Sequence, residues 1–152
     1  MTIIIAAESP DQPEVAAFLA AADAYSKSLY PPESNHLVGL GVLVAPNARF
    51  FVARQNGRAV GCGAVILQTE SSAEIKRMWV APEVRGQGVG RKVLDAIETT
   101  ARAHGIGVLQ LETGIHNTAA LGLYRACGFR HRAPFGRYEP DPLSLFMEKQ
   151  LV

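Results

Sequence analysis

A glycine-rich segment between a strand pattern and a helical pattern constrains this chain more than any other feature of its sequence. The segment reads Arg85-Gly86-Gln87-Gly88-Val89-Gly90. Three alternating glycines permit main-chain conformations that turn several N–H groups toward one concave side. The N-terminus of the following helix adds partial positive charge, and Arg85, Arg91 and Lys92 add full charges. The segment therefore predicts a site for a phosphate or pyrophosphate group, whereas a glycine-rich turn taken alone would more often bind nothing.

Three classes of phosphate-binding loop differ in their glycine spacing, and two of them do not fit this segment. A P-loop ends in Lys followed by Ser or Thr, and this segment does not. A dinucleotide-binding loop reads G-x-G-x-x-G after an all-apolar parallel strand, but the strand here carries Glu74, Lys76 and Arg77. The third class is the acyl-CoA pyrophosphate loop, [Q/R]-x-x-G-x-[G/A], which is matched by Arg85, Gly88 and Gly90.

The sequence around the loop predicts a mixed α/β domain over residues 1–152. Strand patterns cover residues 2–7, 49–55, 58–69, 73–80, 106–113, 129–132 and 143–149. Helical patterns cover residues 14–29, 88–104 and 117–127, with a short helix suggested between 37 and 43. Asn56-Gly57 predicts a tight hairpin, and Gly61 and Gly63 predict a bulge in the return strand. This order favours a mixed sheet with helices on both faces.

The composition argues against several classes of function. Lys and Arg total 15 against 14 Asp and Glu, so a basic surface for nucleic acid is not expected. The chain has no run of 18 apolar residues and no signal-peptide pattern, so we expect a cytoplasmic protein without a membrane partner. Cys62 and Cys127 lie outside any Cys/His pattern, so we expect no metal site and two free thiols.

Beyond the loop, the chain resembles the GNAT superfamily of N-acetyltransferases over about residues 50–149. The motifs that carry the resemblance are residues 74–82 with the glycines that follow, 109–113, Asn117, Leu123-Tyr124, Gly128-Phe129 and 146–149. The resemblance implies the GNAT fold, with a mixed, mostly antiparallel sheet. It also implies that the sheet splays between its fourth and fifth strands, where residues 78–80 diverge from 109–112.

The same resemblance implies acetyl-CoA as co-substrate and no metal. In such a protein the pantetheine pairs with the main chain of Met78 and Val80, and the pyrophosphate lies on the amides of residues 86–91. The implied cofactor-binding residues are Met78, Trp79, Val80, Arg85, Gly86, Gln87, Gly88, Val89, Gly90, Arg91, Asn117 and Tyr124.

Acetyl transfer to an amine needs a proton acceptor and a proton donor. A free alkylammonium has a pKa of about 10.4, so a base or a proton-accepting water must neutralise it, and the leaving thiolate needs a proton. Tyr124 has the position of the family's catalytic tyrosine and is the candidate acid; a packing role is the alternative. Glu74 lies eleven positions ahead of Arg85, as does the base of the histone acetyltransferase branch. The alternative for Glu74 is an ion pair with Lys76 or Arg77.

The resemblance places the acceptor site on the first helix, the loop after it and the loop before the last strand. The candidate substrate residues in these segments are Tyr30, Glu33 and Tyr138, beside His36, Arg137 and Asp141, and Glu112 is a further candidate near the strand opening, with a structural role as its alternative. Aromatic and acidic groups suit an ammonium, whereas Arg137 would suit a carboxylate, and these charges could also be solvated. Glu112 or a water chain could replace Glu74 as the proton acceptor.

The resemblance leaves the acceptor amine open between a small molecule and a peptide. It allows a homodimer without fixing the oligomeric state. A function of another class, a non-catalytic acyl-CoA-binding sensor or interaction module, would retain the same loop. Tyr124 and Glu74 argue against that alternative, because a sensor does not need them.

Overall fold

Seven strands form one sheet in the computed structural model, which describes residues 2–151. They are β1 (Ile3–Ala7), β2 (Ala48–Gln55), β3 (Arg58–Leu67), β4 (Ser72–Val80), β5 (Val108–Gly114), β6 (Arg130–Arg132) and β7 (Ser144–Gln150). Their spatial order is β1-β2-β3-β4-β5-β7-β6. Of the strand pairs in this described range, only β4–β5 is parallel. The mixed, mostly antiparallel sheet predicted from the sequence is therefore confirmed.

The helices that flank this sheet are α1 (Pro13–Leu29), α2 (Leu40–Leu43), α3 (Val89–Ala103) and α4 (Thr118–Ala126). Short 3₁₀ turns, Pro32–Ser34 and Pro82–Val84, precede α2 and the glycine loop. The boundaries of α1, α3 and α4 agree with the sequence patterns to within one residue, because proline or glycine marks the start or end of each.

The two sides of the sheet hold separate apolar clusters. On one side α3 buries an apolar stripe, which comprises Val89, Val93, Leu94, Ile97 and Ala101. On the other side Val15 of α1 and Leu43 of α2 pack on inward-facing residues of β2 and β3. The expected placement of helices on both faces is therefore confirmed. None of the helices within residues 2–151 is both long and apolar enough to cross a membrane.

The β2–β3 hairpin turns at Asn56 and Gly57, whose φ angles of 52° and 78° are those of the predicted type I′ turn. The predicted irregularity at the β3 glycines is also present. Its main consequence lies in β4, where two residues, Arg77 and Met78, oppose the single residue Gly63. Arg77 adopts a positive φ of 60° at this bulge. The bulge redirects the last three residues of β4 toward the site described next.

Candidate active site

The parallel strands β4 and β5 part soon after they meet. They pair over three residue pairs, Ser72↔Val108, Ala73↔Leu109 and Glu74↔Gln110, and diverge beyond them. The predicted splay between the fourth and fifth strands is therefore confirmed. Two cavities, of about 480 Å³ and 130 Å³, occupy the opening. They share the lining residues Ser26, Leu37, Arg77, Met78, Asn117, Ala120 and Tyr124. The opening is thus one cleft with a large and a small compartment.

The large compartment collects almost all of the residues predicted to bind the cofactor. The end of β4, the glycine loop and the first turns of α4 line it, with α1 opposite them. From the predicted set it contains Met78, Trp79, Val80, Arg85, Gly86, Gly88, Val89, Gly90, Arg91, Asn117 and Tyr124, and lacks Gln87. The unpaired edge of β4 beyond Glu74 therefore runs along the same space as the glycine loop.

The three loop glycines serve two different physical purposes. Gly86 and Gly88 have φ angles of 83° and 79°, and a Cβ on either would meet no atom within 4 Å. They are needed for backbone conformation, and the space in front of them is open. A Cβ on Gly90 would lie 2.7 Å from Cδ2 of Leu123, so Gly90 lets α3 approach α4 closely. Of the three, Gly86 and Gly88 shape the loop, and Gly90 is a packing residue.

Cationic groups surround the loop without carboxylate partners. The Arg85 guanidinium lies 5.1 Å from the ring centre of Trp79 and 5.8 Å from that of Tyr25. Its Nε donates a hydrogen bond of 3.3 Å to the carbonyl of Val80. Within residues 2–151, Arg85 and Arg91 form no ion pair, and the first turn of α3 has no acidic residue. The large compartment therefore presents positive charge and the N-terminus of a 15-residue helix to a ligand.

Tyr124 stands where the two compartments meet. Its side chain is buried, packs edge-on against Phe129 at 5.6 Å between ring centres, and lines both cavities. Its hydroxyl makes no hydrogen bond to any residue of the described range 2–151. Burial raises the pKa of Tyr124, and the charge of Glu112 raises it further. The phenol is therefore protonated at neutral pH and has a proton to donate.

Tyr30 fixes the turn between β5 and α4. Its hydroxyl donates to Oδ1 of Asn117 (3.1 Å) and accepts from the N–H of His116 (3.0 Å). Its phenol ring fills the space that a Cβ on Gly114 would need. Asn117 Nδ2 in turn donates to Thr113 Oγ1 at 3.3 Å. The Asn117 side chain, predicted to contact the cofactor, is thus held by protein groups at the bottom of the cleft.

Glu74 is engaged on both of its carboxylate oxygens. The Tyr138 hydroxyl donates to Oε2 at 2.6 Å, and Lys76 Nζ lies 3.1 Å from the same atom. Gln68 Nε2 donates to Oε1 at 3.4 Å. Glu74 is 6% exposed and does not line either cavity. This arrangement is the ion pair with Lys76 that the sequence offered as the alternative to a catalytic base.

Glu112 has a different environment at the same end of the cleft. It lines the small compartment with Tyr124, and its Oε2 accepts a hydrogen bond of 2.8 Å from Ser144 Oγ. Its other oxygen, Oε1, accepts no hydrogen bond from residues 2–151. Desolvation raises the pKa of Glu112, although Ser144 and the charges of His36 and Lys76 oppose the shift. Of the two carboxylates, Glu112 is the one exposed to the cleft.

The remaining predicted substrate residues divide between the cleft and the surface. Tyr30 lines the small compartment, whereas Glu33 is exposed in the Pro32–Ser34 turn and lines neither cavity. Tyr138 packs edge-on with Phe135 and Phe146, and acts on the site through Glu74 and Lys76. Sequence reasoning missed Ser144, because only the antiparallel pairing of β5 with β7 brings it opposite Gly114 and near Glu112.

Comparison with known proteins agrees with this geometry. A model of the acetyltransferase (GNAT) family matches residues 9–129. An IAA acetyltransferase of Azospirillum brasilense is 51% identical over 150 residues, which cover 98% of each chain. A Klebsiella pneumoniae structure named as an acyl-CoA N-acyltransferase has a TM-score of 0.84 and 38% identity, and covers 99% of both chains. A GNAT acetyltransferase of Elizabethkingia anophelis, solved with acetyl-CoA bound, shares the fold with a TM-score of 0.71 at 22% identity over 97% of each chain.

Proposed function

The chain belongs to the acetyltransferase (GNAT) family, and we propose that it transfers the acetyl group of acetyl-CoA directly to a primary amine in a ternary complex. The observation that carries this proposal is the junction of the two compartments at Tyr124. One compartment is cationic and bordered by glycine-loop amides, and the other contains a desolvated carboxylate. Two substrates bound in these compartments would meet beside one protonated phenol.

The positive charge of the large compartment suits the phosphate groups of acetyl-CoA. We assign the pyrophosphate to the amides of residues 86–91, because Gly86 and Gly88 leave open space there and Arg91 lies beside it. We assign the pantetheine to the free edge of β4 at residues 78–80. The structure from Elizabethkingia anophelis holds acetyl-CoA on the same fold, which supports acetyl-CoA as the ligand. When bound, acetyl-CoA supplies an activated acyl group as a thioester.

The small compartment suits the deprotonation of the amine. We propose Glu112 as the proton acceptor, because its Oε1 is unoccupied and its burial favours proton uptake. Glu74 then has a structural role, since Lys76 and Tyr138 already occupy its Oε2. We propose Tyr124 as the acid that protonates the leaving sulfur. Tyr124 therefore keeps its predicted role as the acid, whereas the proposed base is Glu112 instead of Glu74.

Direct transfer also agrees with the positions of the two thiols. Cys62 is buried between β3 and α1, and burial raises its pKa to about 12. Neither Cys62 nor Cys127 lines either compartment. A covalent acyl-enzyme on cysteine would need a thiolate at the junction, and these two residues do not provide one.

The proposal is tested by thiol release from acetyl-CoA in the presence of a panel of primary amines. We expect release that depends on the amine and on enzyme concentration, with the acetylated amine identified by mass spectrometry. A protein that is stabilised by CoA but releases no thiol with any amine would instead be a binding module. That result would remove the catalytic roles of Tyr124 and Glu112 and leave the assignment of the large compartment intact.

A further inference from the structure

The acceptor compartment is lined by a histidine, His36, whose buried Nε2 atom has no hydrogen-bond partner within residues 2–151. His36 lies in the loop between the Pro32–Ser34 turn and α2. Buried polar atoms nearly always have a partner, so an unpaired one at a cavity wall indicates a ligand that supplies the partner.

The imidazole of His36 is held in place by its neighbours. The ring packs edge-on against Tyr138, with 5.3 Å between ring centres, and its own carbonyl accepts a hydrogen bond of 3.3 Å from Lys76 Nζ. The loop that carries it is tied to the loop before β7 by the hydrogen bond from Ser34 Oγ to Asp141 Oδ2 (2.7 Å). These contacts hold Nε2 in a fixed position relative to Glu112, so the ring does not turn toward solvent to find a partner.

The charges around His36 select the kind of group that Nε2 can bind. Lys76 is paired with Glu74, and the Arg77 guanidinium is paired with Asp23 at 2.6 Å. Glu112 lines the same cavity and forms no ion pair within residues 2–151, and Asp141 is close enough to His36 for their charges to interact. The balance is negative, so a carboxylate in the ligand would be repelled, whereas a hydroxyl or a second ammonium would be accepted.

The size of the compartment limits the ligand further. Its volume of about 130 Å³ is close to that of an engineered protein cavity of ~150 Å³ that holds one benzene molecule. A ligand of about six non-hydrogen atoms therefore fills it.

We infer that the acceptor is a small primary amine with a second hydrogen-bonding group, a hydroxyl or a second amine but not a carboxylate, and that His36 Nε2 binds that second group. The inference rests on the proposed function, because it assigns the first amine to the space between Glu112 and Tyr124. His36 is then a specificity-determining residue: it recognises the acceptor and does not handle the transferred proton.

Four probes of similar length separate these possibilities: 4-amino-1-butanol, 1,4-diaminobutane, 4-aminobutanoate and n-pentylamine. Each offers a primary amine at one end, and they differ at the far end. We expect kcat/KM for the first two to exceed that for n-pentylamine by about tenfold, the effect of one satisfied hydrogen bond. We expect 4-aminobutanoate to be the poorest of the four.

Substitutions of His36 test the residue itself. His36→Leu should raise KM for the two polar probes until their advantage over n-pentylamine is lost, and His36→Gln should restore much of that advantage. His104→Leu, at the exposed end of α3, is the matched control and should behave as wild type. Melting temperatures identify any variant that is merely unfolded.

The outcomes separate this inference from the proposed function. A preference that survives in His36→Leu, or a wild-type enzyme that favours 4-aminobutanoate or n-pentylamine, overturns the inference while acetylation itself stands. If none of the four probes is acetylated, the wider amine panel decides the proposed function, and calorimetric binding to the CoA-loaded protein decides the inference. Binding of the two polar amines that His36→Leu abolishes sustains it, and no binding of either amine overturns it.

Discussion

The two compartments of the cleft are built in different ways. About half of the residues that line the large one belong to a single continuous stretch, from the end of β4 through the glycine loop into the first turn of α3, and α1 and α4 supply most of the others. The small one is formed by side chains from separate segments: the loop after α1, β4, β5 and α4. The cofactor side therefore depends largely on a local backbone conformation, whereas the acceptor side depends on how distant segments are brought together.

The compartments also differ in charge. Arg85 and Arg91 border the large one, while Glu112 faces the small one, and Tyr124 lies between them. Phosphate and ammonium groups are thereby attracted to opposite ends of one cleft. A substitution at the junction should affect transfer alone, and a substitution at either end should affect mainly one substrate.

The largest effect is expected at the junction. Tyr124→Phe keeps the ring that packs on Phe129 and removes only the hydroxyl. Loss of a general acid should lower kcat by about 10²- to 10⁴-fold, while the stabilisation by CoA stays the same. Steady-state kinetics and thermal shifts on the same preparation measure both. Wild-type turnover in this variant, with chemistry rate-limiting, would assign Tyr124 to packing.

On the acceptor side, Glu112→Gln should lower kcat/KM by about 10²-fold and abolish the rise of activity with pH that Glu112 causes. The same substitution should lower activity but raise the stability of the protein. Burial raises the pKa of Glu112 in the folded protein. The wild-type protein therefore loses stability as the pH rises from the pKa of Glu112 in the unfolded state through its pKa in the folded state. The glutamine variant does not ionise, so it should melt higher than wild type at neutral pH and equally at acidic pH.

Glu74→Gln sharpens the comparison because Glu74 is the paired carboxylate of the same region. Its loss leaves Lys76 buried without its ion-pair partner, which should reduce the free energy of unfolding by about 3 kcal/mol. The pH–rate profile should keep its shape. If Glu74→Gln lost the rise of activity with pH and Glu112→Gln kept it, the role of base would return to Glu74.

On the cofactor side, Gly88→Val should weaken CoA binding by about tenfold or more, because valine disfavours the positive φ and its methyl groups enter the open space of the loop. Gly57→Val is a matched control, since Gly57 has a φ of 78° in the remote hairpin turn and a Cβ there would also meet no atom within 4 Å. Both variants should lose stability, and only Gly88→Val should lose the CoA-dependent thermal shift. Equal CoA binding in the two would contradict the loop assignment.

The smallest effect is expected at Tyr30. Tyr30→Phe removes the hydrogen bonds to Asn117 and to the N–H of His116 but keeps the ring packed on Gly114. Denaturant unfolding should show a loss of about 1–2 kcal/mol, with kcat reduced by less than about tenfold. A loss of activity as large as that of Tyr124→Phe would mean that Tyr30 takes part in the chemistry.

Much of the fold was predictable from the sequence because local signals agree with the tertiary structure. The Asn56-Gly57 turn, the apolar stripe of α3 and the glycine loop each depend on residues close together in the chain. The bulge in β4 was only half predictable: Gly63 indicated it, but the extra residue is Arg77 of the partner strand. The sequence pattern of one strand does not by itself specify the register in which that strand pairs with its neighbour.

The acceptor side was much less predictable for the same reason. The sequence offered Glu74 as base or as the partner of Lys76, and the structure adds Tyr138, from 64 positions further along the chain, as its hydrogen-bond donor. The position of His36 beside Tyr138 depends equally on loops that meet only in the folded protein. Residue types in these loops left an ammonium site, a carboxylate site and solvated charges all open, and the contacts that distinguish them come from the topology.

The central claim is that both substrates occupy one cleft at once and that the acetyl group passes directly between them. Initial rates of thiol release, measured with acetyl-CoA and the fastest amine of the panel varied together, test this most directly. Direct transfer predicts intersecting double-reciprocal lines and no acetylated protein when the amine is omitted. Parallel lines, together with an acetyl group retained on the protein, would show a covalent intermediate and contradict it.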